Sequence, residues 1–522
     1  MIDYNSLSKE ELIELLNKKD KEELIKENMS LISSIKYKDN KILKLEAENK
    51  DLHIKIEELI AKYEDKLLAS KLHLVEQFIP SSEKITDKDL VINELEVIKQ
   101  KKTRKSPTQN FINDLKNLYS KEIIIDYDFD LNNVSRDKVK PFNEDETYKI
   151  EYKPSSFEVV KIIKKKYKDK DNIYESVYDD PFPHSPLTPS LAANLIEMKF
   201  NLGVPFYRYS NYLINNGLNI SDIDIYNYAR RTMDILEPLY NQLLIKLVNT
   251  PYKVIHADET PLKVINSDKD NCYMFVYTTS FWDNPVYIYD FNDSRSTDKT
   301  KELLKDYKGY LVCDGYPGYD CLTSQGITIQ RCMVHSRRYF TNVLKVLDEE
   351  SKYKSPAYKV VTLMDKLFEQ EAIFRKRKLT SKQIKNERSY KPYQNIINEL
   401  NDYIDSIDTS NNELLTKAVN YYINHKKELY TYLESGYVDI SNNLAERVVK
   451  PFVIARKNFL FCKTADGAIT TGKLFSIIQT AKANHLKSER YLTYVISNIN
   501  KKDIEDLLPW SDSLPKELSI ST

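Results

Sequence analysis

The stretch Tyr252-Lys253-Val254-Ile255-His256-Ala257-Asp258, followed by Glu259-Thr260-Pro261, decides the fold. It reads as a buried strand carrying a carboxylate where a hydrophobe is expected. Val254, His256 and Asp258 share one face; Lys253, Ile255 and Ala257 share the other. Pro261 has no N–H to give to a ladder, so regular pairing is expected to weaken there. A second strand, Tyr310-Leu311-Val312-Cys313-Asp314, repeats the pattern and is stopped by Gly315. Two apolar strands that each end in an aspartate suggest a carboxylate pair held on a rigid sheet. Buried carboxylates without a cation are costly, so a converging pair calls for a metal.

Working outward, the first strand is followed by two more, CYMFVYTTS (272–280) and PVYIYDF (285–291), then by a helix opening at Ser296-Thr297. Next come the strand GYLVCD, the loop GYPGYDCL, the strand ITIQRCMV and the helix SRRYFTNVLKVL. Three consecutive strands, a helix, then strands alternating with helices is the element order of a ribonuclease H-like α/β mixed sheet. On this reading 251–340 is the first part of a catalytic core and 341–436 is a helical insertion, basic around Arg375-Lys376-Arg377-Lys378. Segment 437–470 is the last part of the core. There Ser441 caps a helix, NNLAERVVK, which Pro451 stops, with Glu446 at mid-helix. Segment 471–522 is a C-terminal helical region, running from Gly472 to about Asn500.

Upstream, 182–250 reads as helices broken at Gly203-Val204-Pro205 and Gly217, the third capped by Ser221. This is either a helix-turn-helix with the third helix as reader or a helical bracket packed on the core. The acidic start of that helix, Asp222 and Asp224, speaks against a reader. Segment 123–181 alternates strand-like pieces (KEIIIDYDFD, ETYKIEY, FEVVKIIKKKY) and reads as a small β-rich module. Segment 80–122 is a linker with the basic run Lys101-Lys102-Thr103-Arg104-Lys105, a phosphate contact or simply a solvated stretch. In 1–79, Ser8 to Glu11 forms a capping box. Heptads then follow, with Leu24, Leu31, Lys38, Leu45, Leu52 and Leu59 at d and Asn28, Ile35, Ile42, Asn49, Ile56 and Tyr63 at a. Ile at a with Leu at d favours a parallel two-stranded coiled coil, whose role would be self-association.

Of 522 residues 41% are hydrophobic, enough for several cores, while 78 basic and 78 acidic residues cancel. That balance speaks against a histone-like binder but leaves room for local basic patches. Five cysteines without regular spacing point to a reducing compartment. No apolar run approaches the ~20 residues that span a bilayer, and the charged N-terminus is not a signal peptide. A soluble, cytoplasmic protein without membrane contact is expected.

The chemistry centres on Asp258, Asp314 and Glu446. Magnesium takes oxygen ligands, and two ions about 4 Å apart activate an attacking oxygen and stabilise a leaving one. Each carboxylate alone has a plain alternative: a turn residue for the aspartates, a surface charge for Glu446. Arg337 and Arg338 open a helix near the proposed site and are candidates for bidentate phosphate contact, with a solvated face as the alternative. Arg456 and Lys457 are further candidates with the same alternative. Cys332-Met333-Val334-His335 is a C-x-x-H half-site, too few ligands for structural zinc. His256 either lines the site or packs.

The blocks HADETPLKV, CDGYPGY, CMVHSRRYF and NNLAERVVKPFVIARKNFLF resemble those of insertion-sequence-66 family transposases. PHSPLTPSLAANLIEMKFNLGVPFYRYSNYL upstream and TAKANHLKSERYLTYV near the C-terminus extend the similarity, in the same order, from Phe182 to Ile499. The resemblance implies a DDE-type DNA transposase whose carboxylates map onto Asp258, Asp314 and Glu446. The separations of 56 and 132 residues place the insertion between the second and third carboxylates, as in that family. It implies Mg2+ (or Mn2+), DNA as element ends and target, a homodimer or higher assembly through the coiled coil, and accessory proteins. The family's cysteine-rich zinc module is missing, since every cysteine (272, 313, 321, 332, 462) lies beyond it. A nuclease that cuts without joining and a catalytically dead relic are the alternatives.

Overall fold

The computed structural model describes residues 8–11, 13–14, 17–18, 25–26, 29, 157–163, 166–168, 173–175, 179–269, 271–410 and 412–520. The heptad positions, the basic run at 101–105 and most of the expected β-rich module lie outside them. Ser8 and Glu11 do form the capping box: the Ser8 N–H donates to Glu11 Oε2 at 2.9 Å, and the Glu11 N–H donates to Ser8 Oγ at 3.3 Å. Lys166–Lys168 (β1) and Ile173–Glu175 (β2) pair antiparallel. Residues 157–163, expected as a strand, carry no strand assignment, and Val159, Val160 and Ile163 are exposed. The run Val-Val-Lys-Ile-Ile does not alternate, so it offers no single apolar face to bury.

The described residues fall into two compact units, the larger including 179–333, 370–389 and 427–520, the smaller including 334–369 and 390–426. In the larger, helices α1 (Pro189–Phe200), α2 (Phe206–Asn215) and α3 (Asp222–Val248) precede the sheet. Thr188 caps α1, and Ser221 with Asp224 forms a capping box on α3. Asp222 and Asp224 thus sit where the helix dipole favours anions. The buried stripe of α3 runs its full length, from Ile225 through Met233 and Leu239 to Leu247.

Strands β3 (Val254–Leu262), β4 (Cys272–Thr279), β5 (Tyr287–Asn292), β6 (Tyr310–Cys313) and β7 (Thr328–Arg331) form one sheet in the order β5-β4-β3-β6-β7. The first three pair antiparallel and the last two join in parallel. Helix α4 (Asp298–Leu303) crosses from the hairpin side to β6, as the element order predicts. This mixed five-stranded sheet is consistent with the ribonuclease H-like fold.

Pro261 does not weaken pairing with β4, which continues in register to Leu262 opposite Cys272. The Ala257 carbonyl is taken by Asn442 and that of Pro261 by Arg456, both from outside the β3–β4 ladder. Pro261 therefore lies in a non-hydrogen-bonded pair, and its missing donor faces away from β4.

Helices α5 (Met333–Lys345), α6 (Glu349–Lys354), α7 (Pro356–Lys376), α8 (Ser381–Ser389), α9 (Lys391–Asp405), α10 (Glu413–Asn424) and α11 (Lys426–Leu429) make up the insertion. In the smaller unit, Tyr393, Ile397, Leu400 and Ile404 form the buried stripe of α9. In the larger unit, buried Arg388 grips both oxygens of buried Glu371 at 2.9 and 2.7 Å. It also donates to the carbonyls of Tyr432, Ser435 and Val438. That network fixes the segment leading to α12 (Asn443–Phe459).

Helices α13 (Ala465–Ala483) and α14 (Ser488–Asn498) close the chain, and α13 lies along the edge strand β5. The N–H groups of Tyr287 and Tyr289, which face no further strand, donate to Thr480 Oγ1 at 3.0 Å and Ser476 Oγ at 2.8 Å. One turn before Ser476 stands Gly472, where a Cβ would lie 2.5 Å from the Tyr289 carbonyl. The helix approaches this close because the position has no side chain.

Candidate active site

Strand β6 ends at Cys313 while β3 runs on to Leu262, which opens a notch beside β3. Val254, Ile255 and His256 pair with Tyr310, Leu311 and Val312. The same register, carried two residues on, sets Asp258 beside Asp314. Asp258 therefore sits within β3, at the level where its parallel neighbour stops, and not at a strand end as expected.

Glu446 lies in the first turn of α12, a correction to the mid-helix position expected. The N-cap position is Asn442 and not Ser441, and the helix passes through Pro451 to Phe459 instead of stopping there. The proline removes the N–H that the Arg447 carbonyl would otherwise accept, and packing of α12 on β3 and β4 holds the helix together across it. The Tyr289 hydroxyl donates to the next carbonyl, that of Val448, at 2.5 Å.

Asn442 is fully buried and seats this helix against the sheet. Its Nδ2 donates to the Ala257 carbonyl at 2.8 Å, and its Oδ1 lies 3.3 Å from His256 Nδ1. Its backbone N–H donates to Cys332 Sγ at 3.1 Å. His256 is itself fully buried, with Nε2 3.4 Å from Asp439 Oδ2, so it packs as a polar brace. Burial raises Asp439, but Arg375 (2.7 Å away), His256 and Arg388 together carry it below the ordinary carboxylate range.

Burial first, then the charges of Glu259, Glu446 and Asp314, push Asp258 well above the ordinary carboxylate range. The Glu259 N–H, donated to Asp258 Oδ1 at 2.9 Å, pulls the other way. Glu259 points to the opposite face of β3. Burial and then Asp314 raise its pKa, against the hydrogen bonds from Arg295 and Tyr319. The three expected carboxylates thus share one electrostatic neighbourhood. Among the described residues, however, no three His, Cys, Asp or Glu side chains stand close enough to hold a metal ion as they are arranged.

The basic candidates are placed differently from one another. Arg337 forms a two-bond pair with Asp365, at 2.7 and 3.1 Å, within the smaller unit. Arg338 is exposed in the same unit. Arg456 donates to Thr260 Oγ1 at 3.1 Å and to the Pro261 carbonyl, bracing α12 on β3. Lys457 is exposed. Sequence reasoning overlooked Asn442, Asp439, Arg295 and the role of Glu259. The adjacent acidic pair Asp258-Glu259 in an apolar strand was the one signal that pointed toward the last of these.

No helix among the described residues is long and apolar enough to cross a membrane. Three proteins of Sinorhizobium fredii (strain NBRC 101917 / NGR234) are similar to this chain, each bearing the name of an uncharacterized protein. The protein y4jD is 26% identical over 345 residues, covering 62% of this chain and 66% of its own length. The protein y4qI is 22% identical over 70% of this chain and 71% of its own length, and y4hP is 22% identical over 72% and 71%. The match to y4jD therefore spans just under two thirds of that relative. The model of the transposase IS66 family matches residues 184–470, and that of the IS66 C-terminal element matches 476–510. The first of these matches alone covers more than half of the chain and takes in the sheet, the notch beside β3 and α12: the chain belongs to the IS66 family of transposases.

Proposed function

We propose that the chain cuts DNA at the ends of its element and joins the freed ends to target DNA, with Asp258, Asp314 and Glu446 as the acting carboxylates. The observation that carries this is the like-charge cluster around Asp258, whose proton affinity is raised by burial and by Glu259, Glu446 and Asp314. Such repulsion is a standing cost to the fold that a divalent cation would relieve. The donor set is oxygen-only, which suits Mg2+ or Mn2+. Asp258 and Asp314 would hold such an ion and Glu446 would complete the set, the side chains drawing closer than they stand. When bound, the ion polarises the phosphoryl oxygens and lowers the pKa of water.

The remaining work falls to the protein. The sheet keeps Asp258 and Asp314 level, and Asn442 fixes the first turn of α12 and with it Glu446. In cleavage, water adds to the phosphorus and the bond to O3′ breaks, leaving a 3′ hydroxyl. That hydroxyl then attacks a target phosphodiester in line and displaces the target's own 3′ oxygen. No covalent protein intermediate is needed, since positioning and charge stabilisation carry such transfers. Lys457, exposed on α12, fits a phosphate contact, while Arg456 is engaged as a brace. The heptads of the N-terminal segment would bring two subunits to two ends.

The test uses the DNA flanking the reading frame as labelled duplex with Mg2+. Asp314→Asn is expected to abolish cleavage while leaving the melting temperature within a few degrees of wild type. Retained cleavage would reject the assignment. Pre-cleaved ends offered with target DNA separate a transposase from a nuclease that cuts without joining.

A further inference from the structure

Arg295 lies in the loop between β5 and α4, and it is tied both to Glu259 on β3 and to Tyr316 in the segment that follows β6. Its Nε and Nη2 both reach one oxygen of Glu259, at 3.0 and 2.6 Å. The other oxygen of Glu259 accepts from the Tyr319 hydroxyl at 2.7 Å. Arg295 also lies over the ring of Tyr316, 4.0 Å from guanidinium carbon to ring centre. Tyr316 is held from two sides: its hydroxyl donates to the Arg295 carbonyl at 2.7 Å, and its N–H donates to Asp314 Oδ1 at 2.8 Å.

The pair is asymmetric: the Glu259 side chain is 3% exposed and that of Arg295 is 45% exposed. The grip on Glu259 uses one edge of the guanidinium, and no hydrogen bond from Nη1 to the described residues is seen. Both oxygens of Glu259 are engaged, which makes it a poor further metal ligand. A planar, stacked guanidinium with a free edge is suited to a phosphate oxygen. Through Tyr316, whose N–H holds Asp314, Arg295 borders the Asp314 side of the notch, where an entering anionic backbone meets repulsion that a guanidinium offsets.

We propose that Arg295 binds a non-bridging oxygen of the DNA phosphate at or next to the bond being cut, and that Glu259 and Tyr316 are its positioning residues. This rests on the carboxylate notch being the cleavage site. The same loop that follows the hairpin thus supplies the substrate contact that the two aspartates cannot.

The full chain is tested on duplex from the DNA flanking the reading frame. Binding is followed against salt with Ca2+ in place of Mg2+, and cleavage is followed with Mg2+. Arg295→Ala is expected to slow cleavage about a hundredfold to a thousandfold and to reduce the slope of log affinity against log salt by about 0.9, one phosphate contact. A duplex with a neutral methylphosphonate at the cut position should penalise wild type strongly and Arg295→Ala little further. A role confined to folding would leave the two penalties additive. Arg295→Lys keeps a charge for Glu259 and so guards against simple misfolding; it should melt like wild type yet cleave more slowly. An unchanged salt slope with additive penalties overturns the proposal if Asp314→Asn is inactive. Full activity of Asp314→Asn overturns the site reading instead.

Discussion

Replacing Asn442 with alanine tests how α12 is seated. The substitution strips the donor from the buried Ala257 carbonyl at 2.8 Å and removes the oxygen 3.3 Å from His256. Leaving a buried carbonyl without its donor costs about 1–3 kcal/mol, and the lost histidine contact adds about 1. The vacated volume, in a fully buried position, adds about 1 more. A total of about 3–5 kcal/mol follows, which lowers the melting temperature by roughly 6–20 °C in a unit of this size. Urea titration at fixed pH measures the first quantity and calorimetry the second. Cleavage should fall further than the folded fraction explains, because Glu446 stands one turn beyond, its N–H bonded to the Asn442 carbonyl at 3.2 Å. Asn442→Ser, which retains a shorter polar group, should fall in between. Wild-type cleavage by a destabilised Asn442→Ala chain would refute the claim that this anchor places Glu446. A stability change under about 0.5 kcal/mol would refute the energetic account.

Other substitutions probe the frame. Arg388→Met leaves Glu371 buried without its guanidinium and should cost about 3–5 kcal/mol, only part of it recovered by adding Glu371→Met, since the carbonyls of Tyr432, Ser435 and Val438 still lose their donor; chemical denaturation of the single and double variants checks this. Gly472→Ala puts a Cβ 2.5 Å from the Tyr289 carbonyl, so α13 must lift from β5 at about 1–3 kcal/mol, read as a shifted unfolding midpoint. Asp290 is raised to about 6 by burial, against Lys299 and Lys473. Between the unfolded value of about 4 and that figure, the folded state keeps a proton the unfolded state has released, so its contribution to stability falls as pH rises. After discounting for partial exposure, Asp290→Asn should be stabilised relative to wild type by about 1–2 kcal/mol more at pH 7 than at pH 4, as paired urea titrations would report.

Much of this was legible in residue order. Apolar strand runs located β3 to β7, because apolar strands in a mixed sheet leave a strong local signal. Asp258 and Asp314 stood out because a carboxylate interrupts each run. Glu446 came from its helical context, but its helix was misread at both ends. A proline normally ends a helix, and only packing against the sheet, which is not a local property, carries α12 through Pro451. Asn442 and Arg295 were not legible for the same reason. An asparagine before a helix looks like any cap, and an arginine in a loop looks solvated, until partners 186 and 36 residues away are known.

The distance of Asn442 from its partners along the chain also sets a timetable. A ribosome adds roughly 5–20 residues per second, so the 132 residues between Asp314 and Glu446 take about 7–26 s to appear. Throughout that interval the sheet can form, but the contacts that bring the last helix onto β3 do not yet exist. A chain released within the insertion would carry the first two proposed carboxylates and lack the third. On the proposed reading of the three carboxylates, the chain would have no cutting site until its synthesis is nearly done.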